Sequence, residues 1–494
     1  MGDYESLPMN STQKVVQNSI WLIIQPLILN VISIFVIGYI ARTLGQADYG
    51  KFLFAFTFVA MFGSITSMGL RTITVREIAE DKSKVSVFLG NILTLRFFLA
   101  LIAVVAIFFV VNLMHYPQIT KIIVYIISLT VVFNTVSGTF MDTFQAYETM
   151  EYVVYTQFVS GIVLTALSVI VLYIGYRLIG LTLVYCFGSF LALIISALYL
   201  FRRITTPKIK IDFSFWKKSL YKGAPFFYPS LVASVGAKIG IIFLSKMSGD
   251  ISVGIFGAAN NLVEKLVIIP DGICTAIFPT MAALYQSSKD EAAILFQRFF
   301  LYLFLITLPI AVGTTILAKP IITLIYGIEY QAAILILQIL VWWLFLTFLT
   351  MLQGYALGAI HQEKKAAIVP FIVTPCYIVI NLLLIPHFKE IGAAISSVIT
   401  GILSFAILSI FIRKHLISNL LENKLIIKVL IANTIMGVFV FLFRKYNVFL
   451  SISLGAMIYS FVILFFQIIS VNDLVKLLNT FAKKRGNTSQ CEIR

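Results

Sequence analysis

Fourteen apolar runs divide this sequence, and most reach the ~20 residues a helix needs to cross a bilayer. To within a few residues they lie at 17–41, 52–70, 89–114, 122–146, 152–174, 178–201, 223–245, 254–281, 299–317, 331–358, 366–385, 390–412, 425–443 and 447–469. Any one of them alone reads as a buried core helix. Repeated along the whole chain, they would leave a water-soluble protein with large exposed apolar patches. Composition points the same way. The chain is 60% apolar and 12% charged, against about 25% charged in soluble domains, and its mean hydropathy is +0.99. The runs are apolar on every side, whereas a membrane barrel alternates over roughly 10-residue segments. The expected fold is an all-α integral membrane protein with about 14 transmembrane helices. The first run is too long for a signal-peptide core and lacks a small-residue cleavage site, so it is expected to remain as a helix.

Lys and Arg set the orientation. Of the 37, 24 lie in the N-terminal tail, the even-numbered connections and the C-terminal tail, and 9 lie in the odd-numbered connections. Positive residues stay on the cytoplasmic side, so both termini are expected there, in a multi-pass protein of the cytoplasmic membrane. The net charge of +16 sits in short loops at helix ends rather than in a compact basic domain. It fits anionic lipid headgroups and not nucleic acid. Cys186, Cys274 and Cys376 fall within spans and Cys491 in the tail, with no CxxC and no metal-ligand spacing. No cofactor or metal is expected. The connections are too short for an extramembrane catalytic domain, which argues against a glycan polymerase or glycosyltransferase.

A repeat organises the chain. The stretch "ARTLGQADYGKFLFA" (41–55) aligns with "SKMSGDISVGIFGAA" (245–259): Arg42 with Lys246, Gly45 with Gly249, Gly50 with Gly254 and Phe52 with Phe256. A second pair, 180–202 against 392–414, follows in the same order. Six spans precede the basic connection 202–222, six follow it and two are extra. The expected organisation is a tail with a six-helix bundle (1–201), a linker (202–222), a second bundle (223–412), two further helices (413–469) and a tail (470–494). The linker is either a plain basic loop or, given Phe213, Phe215 and Trp216 beside Lys217 and Lys218, a segment lying in the membrane interface. An even number of helices in each half makes the repeat parallel, which places a site between two similar bundles near the midplane. The repeated turn is expected to cap the first outside hairpin of each bundle. Its glycines permit tight backbone turns, and Arg42 and Lys246 anchor the helix ends at the headgroups.

Four segments carry a resemblance: "IARTLGQADYGKF", "SMGLRTITVREIAE" (67–80), "AANNLVEKLVIIPDGICTAIFPTMAALYQ" (258–286) and "ILAKPIITLIYGIEYQAAILILQIL" (316–340). The sequence resembles the Wzx-type oligosaccharide flippases, the polysaccharide-transporter branch of the multidrug/oligosaccharidyl-lipid/polysaccharide exporter superfamily, from about residue 15 to 470. The resemblance implies two pseudo-symmetric six-helix bundles around a central cavity, two extra helices and transport of a polyprenyl-pyrophosphate-linked glycan to the outer leaflet. It implies as partners that lipid-linked glycan, membrane lipids, H+ or Na+ as coupling ion, and polymerases or glycosyltransferases of the same pathway. Lipid II flippases carry cavity-facing arginines in the first helix. Here that helix offers Gln17, Asn18, Gln25 and Asn30. A drug/cation antiporter of the same fold is the other alternative, and it would favour acidic cavities with few basic residues. A passive scaffold or channel would need neither duplication nor buried charge.

An anionic pyrophosphate cannot cross hydrocarbon without compensation, so basic residues inside the spans are the expected cavity groups. Lys238 lies deep in the seventh span; Asn260, Glu264 and Asp271 lie in the eighth at spacings of four and seven, which puts them on one helical face, with Lys265 adjacent. From the outer ends Lys238 is about 12 Å deep and Glu264 about 15 Å, at 1.5 Å per residue. They are expected to form an ion pair, either static or exchanging partners with a pyrophosphate or proton. In the first half, Arg71 and Arg96 are candidate phosphate ligands, because guanidinium binds phosphate bidentately; Arg76 reads as an ordinary positive-inside anchor. Asp142, Gln145 and Glu148 are expected near water at the outer face. Asp142, Asp271 (beside the helix-breaking Pro270) and Glu264 are candidates for cation coupling.

Overall fold

The computed structural model describes residues 11–416, 423–444 and 446–468. The tails and the stretch joining the second bundle to the extra helices therefore lie outside the described residues, as do the side chains of Gln17, Asn18 and Gln25. The described residues are helical almost throughout: α1 (Ser11–Ser67), α2 (Leu70–Glu80), α3 (Val85–Leu113), α4 (Gln118–Ala146), α5 (Met150–Ile174), α6 (Arg177–Arg203), α7 (Phe213–Ser248), α8 (Asp250–Leu266), α9 (Ile268–Ser287), α10 (Lys289–Tyr326), α11 (Ala333–Ala359), α12 (Glu363–His415), α13 (Asn423–Phe443) and α14 (Val448–Phe465).

Among the described residues, twelve helical stretches are long and apolar enough to cross a membrane, α8 and α9 counting together. Two of the twelve are each a pair of helices. In α1, Gly45 takes φ 77°, ψ 169°, a conformation essentially confined to glycine. Its two arms both run beside α8, away from Asp250: Lys265 Nζ donates to Asn30 Oδ1 at 3.2 Å on one arm, and Asn261 Nδ2 to Tyr49 OH at 3.0 Å on the other. The chain therefore reverses at Gly45. In α12 the break is Lys389 (φ 46°, ψ −127°), and Tyr377 OH lies 3.5 Å from Ser397 Oγ across the two arms. Twelve stretches thus make fourteen crossings.

Local chemistry sets the ends. Asp212 opens α7, its Oδ1 accepting from Ser214 N (3.0 Å) and Phe215 N (3.1 Å), a side-chain N-cap. Ser288 accepts from Glu291 N at 3.3 Å, in the Ser-x-x-Glu spacing of a capping box. The crossing over 250–287 breaks at Val267 because Pro270 has no N–H for the carbonyl four residues earlier.

Helices α3–α6 pack on one another and on the second arm of α1; α7–α12 form the second bundle; α13 and α14 pair and lie against α10. The connection expected over 202–222 is shorter than that. Thr206–Lys210 runs along α3, with Lys208 N donating to Ser86 O at 2.9 Å and Thr94 Oγ1 to Lys210 O at 3.0 Å. From Phe213 the chain is continuous with α7, and Phe215 and Trp216 pack against Leu70, Ile73 and Leu95. Of the aromatic residues that suggested an interfacial segment, Phe215 and Trp216 are packed on α2 and α3 instead, while Phe213 stays exposed beside Trp216.

Candidate functional site

The two copies of the repeated turn meet. Gly249 breaks its helix with φ 86°, ψ 178°, close to the values at Gly45. A methyl on Gly50 would overlap the carbonyl oxygen of Asp250, and one on Gly254 would overlap that of Gln46. Asp250 is the repeat counterpart of Gln46, so the contact is reciprocal. The basic residues cross over as well. Arg42 Nη2 donates to Thr323 O (3.2 Å) and to Leu324 O, in the last turn of α10, the ninth crossing. Lys246 Nζ donates to Met114 O (2.7 Å), just past α3, the third crossing. Each copy therefore ties down the third helix of the opposite bundle, where orphan carbonyls at a helix C-terminus accept cations. Two tyrosines complete the seam: Tyr330 OH donates to Ala41 O at 3.0 Å, and Tyr116 OH to Ser245 Oγ at 3.2 Å. Ala41 and Ser245 are counterparts in the repeat. Sequence reasoning placed Arg42 and Lys246 at the headgroups and missed both tyrosines. The one available signal was a tyrosine in the connection after the third and after the ninth span.

Each bundle also holds a cavity. The first, about 720 Å³, is lined by the second arm of α1 and by α4–α6, and includes Thr66, Asn134, Gln145 and Gln157. Arg71 and Arg96 stand in its wall on either side of Asp142. Arg96 Nη1 lies 2.8 Å from Asp142 Oδ2 and 3.0 Å from Thr139 Oγ1; Arg71 Nε lies 3.4 Å from Asp142 Oδ1. Arg96 and Asp142 are buried, with side chains 6% and 9% exposed, whereas Arg71 is 71% exposed and also reaches Gln145 Oε1 at 3.3 Å. This corrects the expectation for Asp142. It lies at the Arg71 end of the bundle, opposite the seam, and two guanidiniums occupy the place where a cation was expected. The error lay in the direction of the fourth crossing, which starts beside the seam and ends beside α2. Arg76, also expected as an anchor, pairs with Glu80 one turn on at 2.8 Å.

The second cavity, about 290 Å³, lies between α7, α8, α11 and both arms of α12. Its lining includes Asn260, Glu264, Thr347, Thr374, Tyr377 and Thr400, and Glu264 is the one charged residue among them. The expected Lys238–Glu264 ion pair is not formed. Glu264 Oε1 accepts from Asn260 Nδ2 at 2.8 Å. Lys238 is half-buried, lines neither cavity and has no ion pair or hydrogen bond among the described residues. Lys265 turns to Asn30 of the first helix. Asp271 does not share the face of Asn260 and Glu264, because the break at Val267 intervenes; it accepts from Tyr355 OH at 2.9 Å, and Thr275 Oγ1 lies 3.2 Å from the same hydroxyl. The structure thus puts the cationic wall in the first bundle and the anionic one in the second.

Two helical bundles, each with a polar cavity, joined at one end by a reciprocal seam, define a membrane transporter fold. Solved structures share it. The lipid II flippase MurJ in an inward closed conformation superposes with a TM-score of 0.72 at 16% identity, covering 90% of this chain and 98% of MurJ. An inward-facing multidrug resistance MATE transporter of the MOP superfamily gives 0.61 at 17% identity, covering 81% and 98%. Residues 15–285 match the polysaccharide biosynthesis protein family and 225–386 the MatE family; the chain belongs to the polysaccharide biosynthesis protein family. Its relatives include proteins assigned as O-antigen transporters in Shigella flexneri (21% identical, covering 80% of this chain and 96% of the relative) and Escherichia coli K12 (24%, covering 76% and 91%). The capsular polysaccharide biosynthesis protein CapF of Staphylococcus aureus is 23% identical over 76% of this chain and 93% of CapF.

Proposed function

We propose that the protein is a flippase of the cytoplasmic membrane that carries a polyprenyl-pyrophosphate-linked oligosaccharide from the inner to the outer leaflet by alternating access. The observation that carries this reading is the pair of guanidiniums, Arg71 and Arg96, in the wall of a 720 Å³ polar cavity inside an apolar bundle. Guanidinium forks match phosphate oxygens in pairs, and buried cations in a membrane protein are usually functional. The glycan occupies the polar cavity and the polyprenyl tail stays in lipid. The family and the transporter relatives support the same substrate class. The positive-inside bias supports cytoplasmic termini, an orientation in which the seam closes the outer face and Arg71 lies toward the cytoplasm. Glu264, alone in the second cavity, is the site proposed for a coupling H+ or Na+. Polymerases and glycosyltransferases of the same pathway are the proposed working partners.

The test is transport of a fluorescent lipid-linked oligosaccharide in proteoliposomes. Arg96→Lys keeps the charge but loses the fork, and it is expected to lower the initial rate by at least about tenfold, the factor that corresponds to 1.4 kcal/mol. A rate equal to the wild type's would sink the assignment of the arginine pair. Efflux of organic cations with no glycan-lipid transport would favour the drug antiporter.

A further inference from the structure

Asp142 sits where a substrate anion would. Its two oxygens are divided between the two arginines, Oδ2 facing Arg96 Nη1 at 2.8 Å and Oδ1 facing Arg71 Nε at 3.4 Å. That is the arrangement two phosphate oxygens would take between the same groups. Arg96 has more to give. Its Nε and Nη2 are buried and have no hydrogen-bond partner among the described residues, and these two nitrogens form the side edge of the guanidinium, the edge that binds a two-oxygen anion bidentately. A buried donor left unmet is destabilising. Asp142 and Thr139 thus occupy one corner of Arg96 and leave its best anion-binding edge unmet.

We propose that Asp142 is an internal competitor for the diphosphate: it neutralises Arg96 and Arg71 while the cavity is empty, and gives them up when substrate enters. The inference rests on the diphosphate reading of the cavity given above. A carrier must also return empty. Two uncompensated guanidiniums in a membrane bundle would oppose any closure that dehydrates them. With Asp142 ionised, the three side chains carry one net positive charge instead of two. On loading, the diphosphate displaces the Asp142 carboxylate from Nη1 of Arg96, whose Nε and Nη2 are shut away from solvent in the empty cavity, and draws Arg71, which is mostly exposed. Asp142 then turns toward Gln145, three residues on along α4 in the cavity wall. On release Asp142 recaptures both arginines, which keeps the substrate from being held too tightly to leave. Asp142 acts here as a positioning residue and touches no substrate.

The test separates this idea from the reading beneath it. Binding of inorganic pyrophosphate to the full chain in nanodiscs is measured by calorimetry, beside transport of the lipid-linked oligosaccharide. Asp142→Asn is expected to bind pyrophosphate at least about tenfold tighter, since close buried charge pairs couple by more than 1.4 kcal/mol, and to transport more slowly. Asp142→Glu is expected to restore competition and bind like the wild type. Damage to the fold weakens binding and cannot tighten it. Equal or weaker binding by Asp142→Asn, with pyrophosphate still bound by the wild type and lost in Arg96→Ala, overturns the competitor proposal and leaves the diphosphate site standing. No pyrophosphate binding by the wild type, with transport unaffected in Arg96→Ala, overturns both. Should Asp142→Asn not fold, the wild type still decides. Infrared difference spectra on adding pyrophosphate should show one carboxylate leaving a guanidinium, and a spectrum without that change overturns the proposal.

Discussion

Gly50 and Gly254 face each other across the seam, and each leaves room for the backbone that begins the other's helix. Two counterparts of one repeat thus make one self-complementary contact, as a two-fold axis requires. The same exchange governs Arg42 with α10 and Lys246 with the end of α3. The seam is the place where two separate bundles become a single closed face.

Gly50→Ala or Gly254→Ala should prise that face open. Inserting a methyl into a packed contact costs typically 1–3 kcal/mol, which lowers the closed-to-open ratio by about 5- to 150-fold. Ala41 is wholly buried in the structure. A cysteine placed there, with the native cysteines replaced, should react with an impermeant maleimide from outside much faster in the Gly50→Ala background. Equal rates in both backgrounds would show that the seam does not gate the outer face.

Tyr116→Phe and Tyr330→Phe should each weaken closure by about 0.5–1.5 kcal/mol, the net worth of one hydrogen bond, and they should act in the same direction because they are counterparts. The same maleimide assay reads both. Closure should also respond to alkali. Burial pushes the Tyr116 phenol up to about 12 from its ordinary 10.0, the hydrogen bond to Ser245 opposing in part. In an open seam the phenol is solvated and ordinary. The closed form binds the proton more tightly, so closure is fully supported below about pH 10 and weakens as pH rises toward 12. Tyr116→Phe should remove part of that fall, with the buried Tyr330, shifted the same way, supplying the rest.

Arg96→Ala should destabilise the protein far more than Arg71→Ala. Removing one partner of a buried pair costs about 3–5 kcal/mol, and Asp142 would keep only the longer contact to Arg71. An exposed partner such as Arg71 contributes about 0–1 kcal/mol. Denaturation of the two variants in detergent should separate them clearly; equal midpoints would show that Arg96 is not the structural member of the pair.

Lys238→Ala should be nearly silent. Lys238 has no ion pair or hydrogen bond among the described residues and lines neither of the two cavities, and substitutions away from such features usually change stability by within about 0.5 kcal/mol, roughly a factor of two. Glu264→Gln is the contrasting change in the second bundle, and it should abolish the dependence of transport on an imposed cation gradient. A large transport loss in Lys238→Ala with none in Glu264→Gln would reverse this assignment.

Periodic apolarity, the Lys and Arg bias and the repeated turn were sufficient to read a fourteen-helix membrane protein built from two related bundles. These are local properties: a span needs only its own twenty residues, and Gly45 and Gly249 adopt their unusual backbone because each is glycine. The charged site was different. Lys238 and Glu264 look like partners by depth, yet depth along two helices says nothing of how each is rotated about its axis. Rotation is fixed by packing, and packing turned Lys265 to Asn30 and brought Arg71, Arg96 and Asp142 together from three separate helices, while the local break before Pro270 took Asp271 off the face of Glu264. The sequence by itself determined the solvent, the number of crossings and the duplication. Only the tertiary structure decided which buried charges meet, because a charge finds its partner through side-chain direction and helix neighbours that no single span encodes.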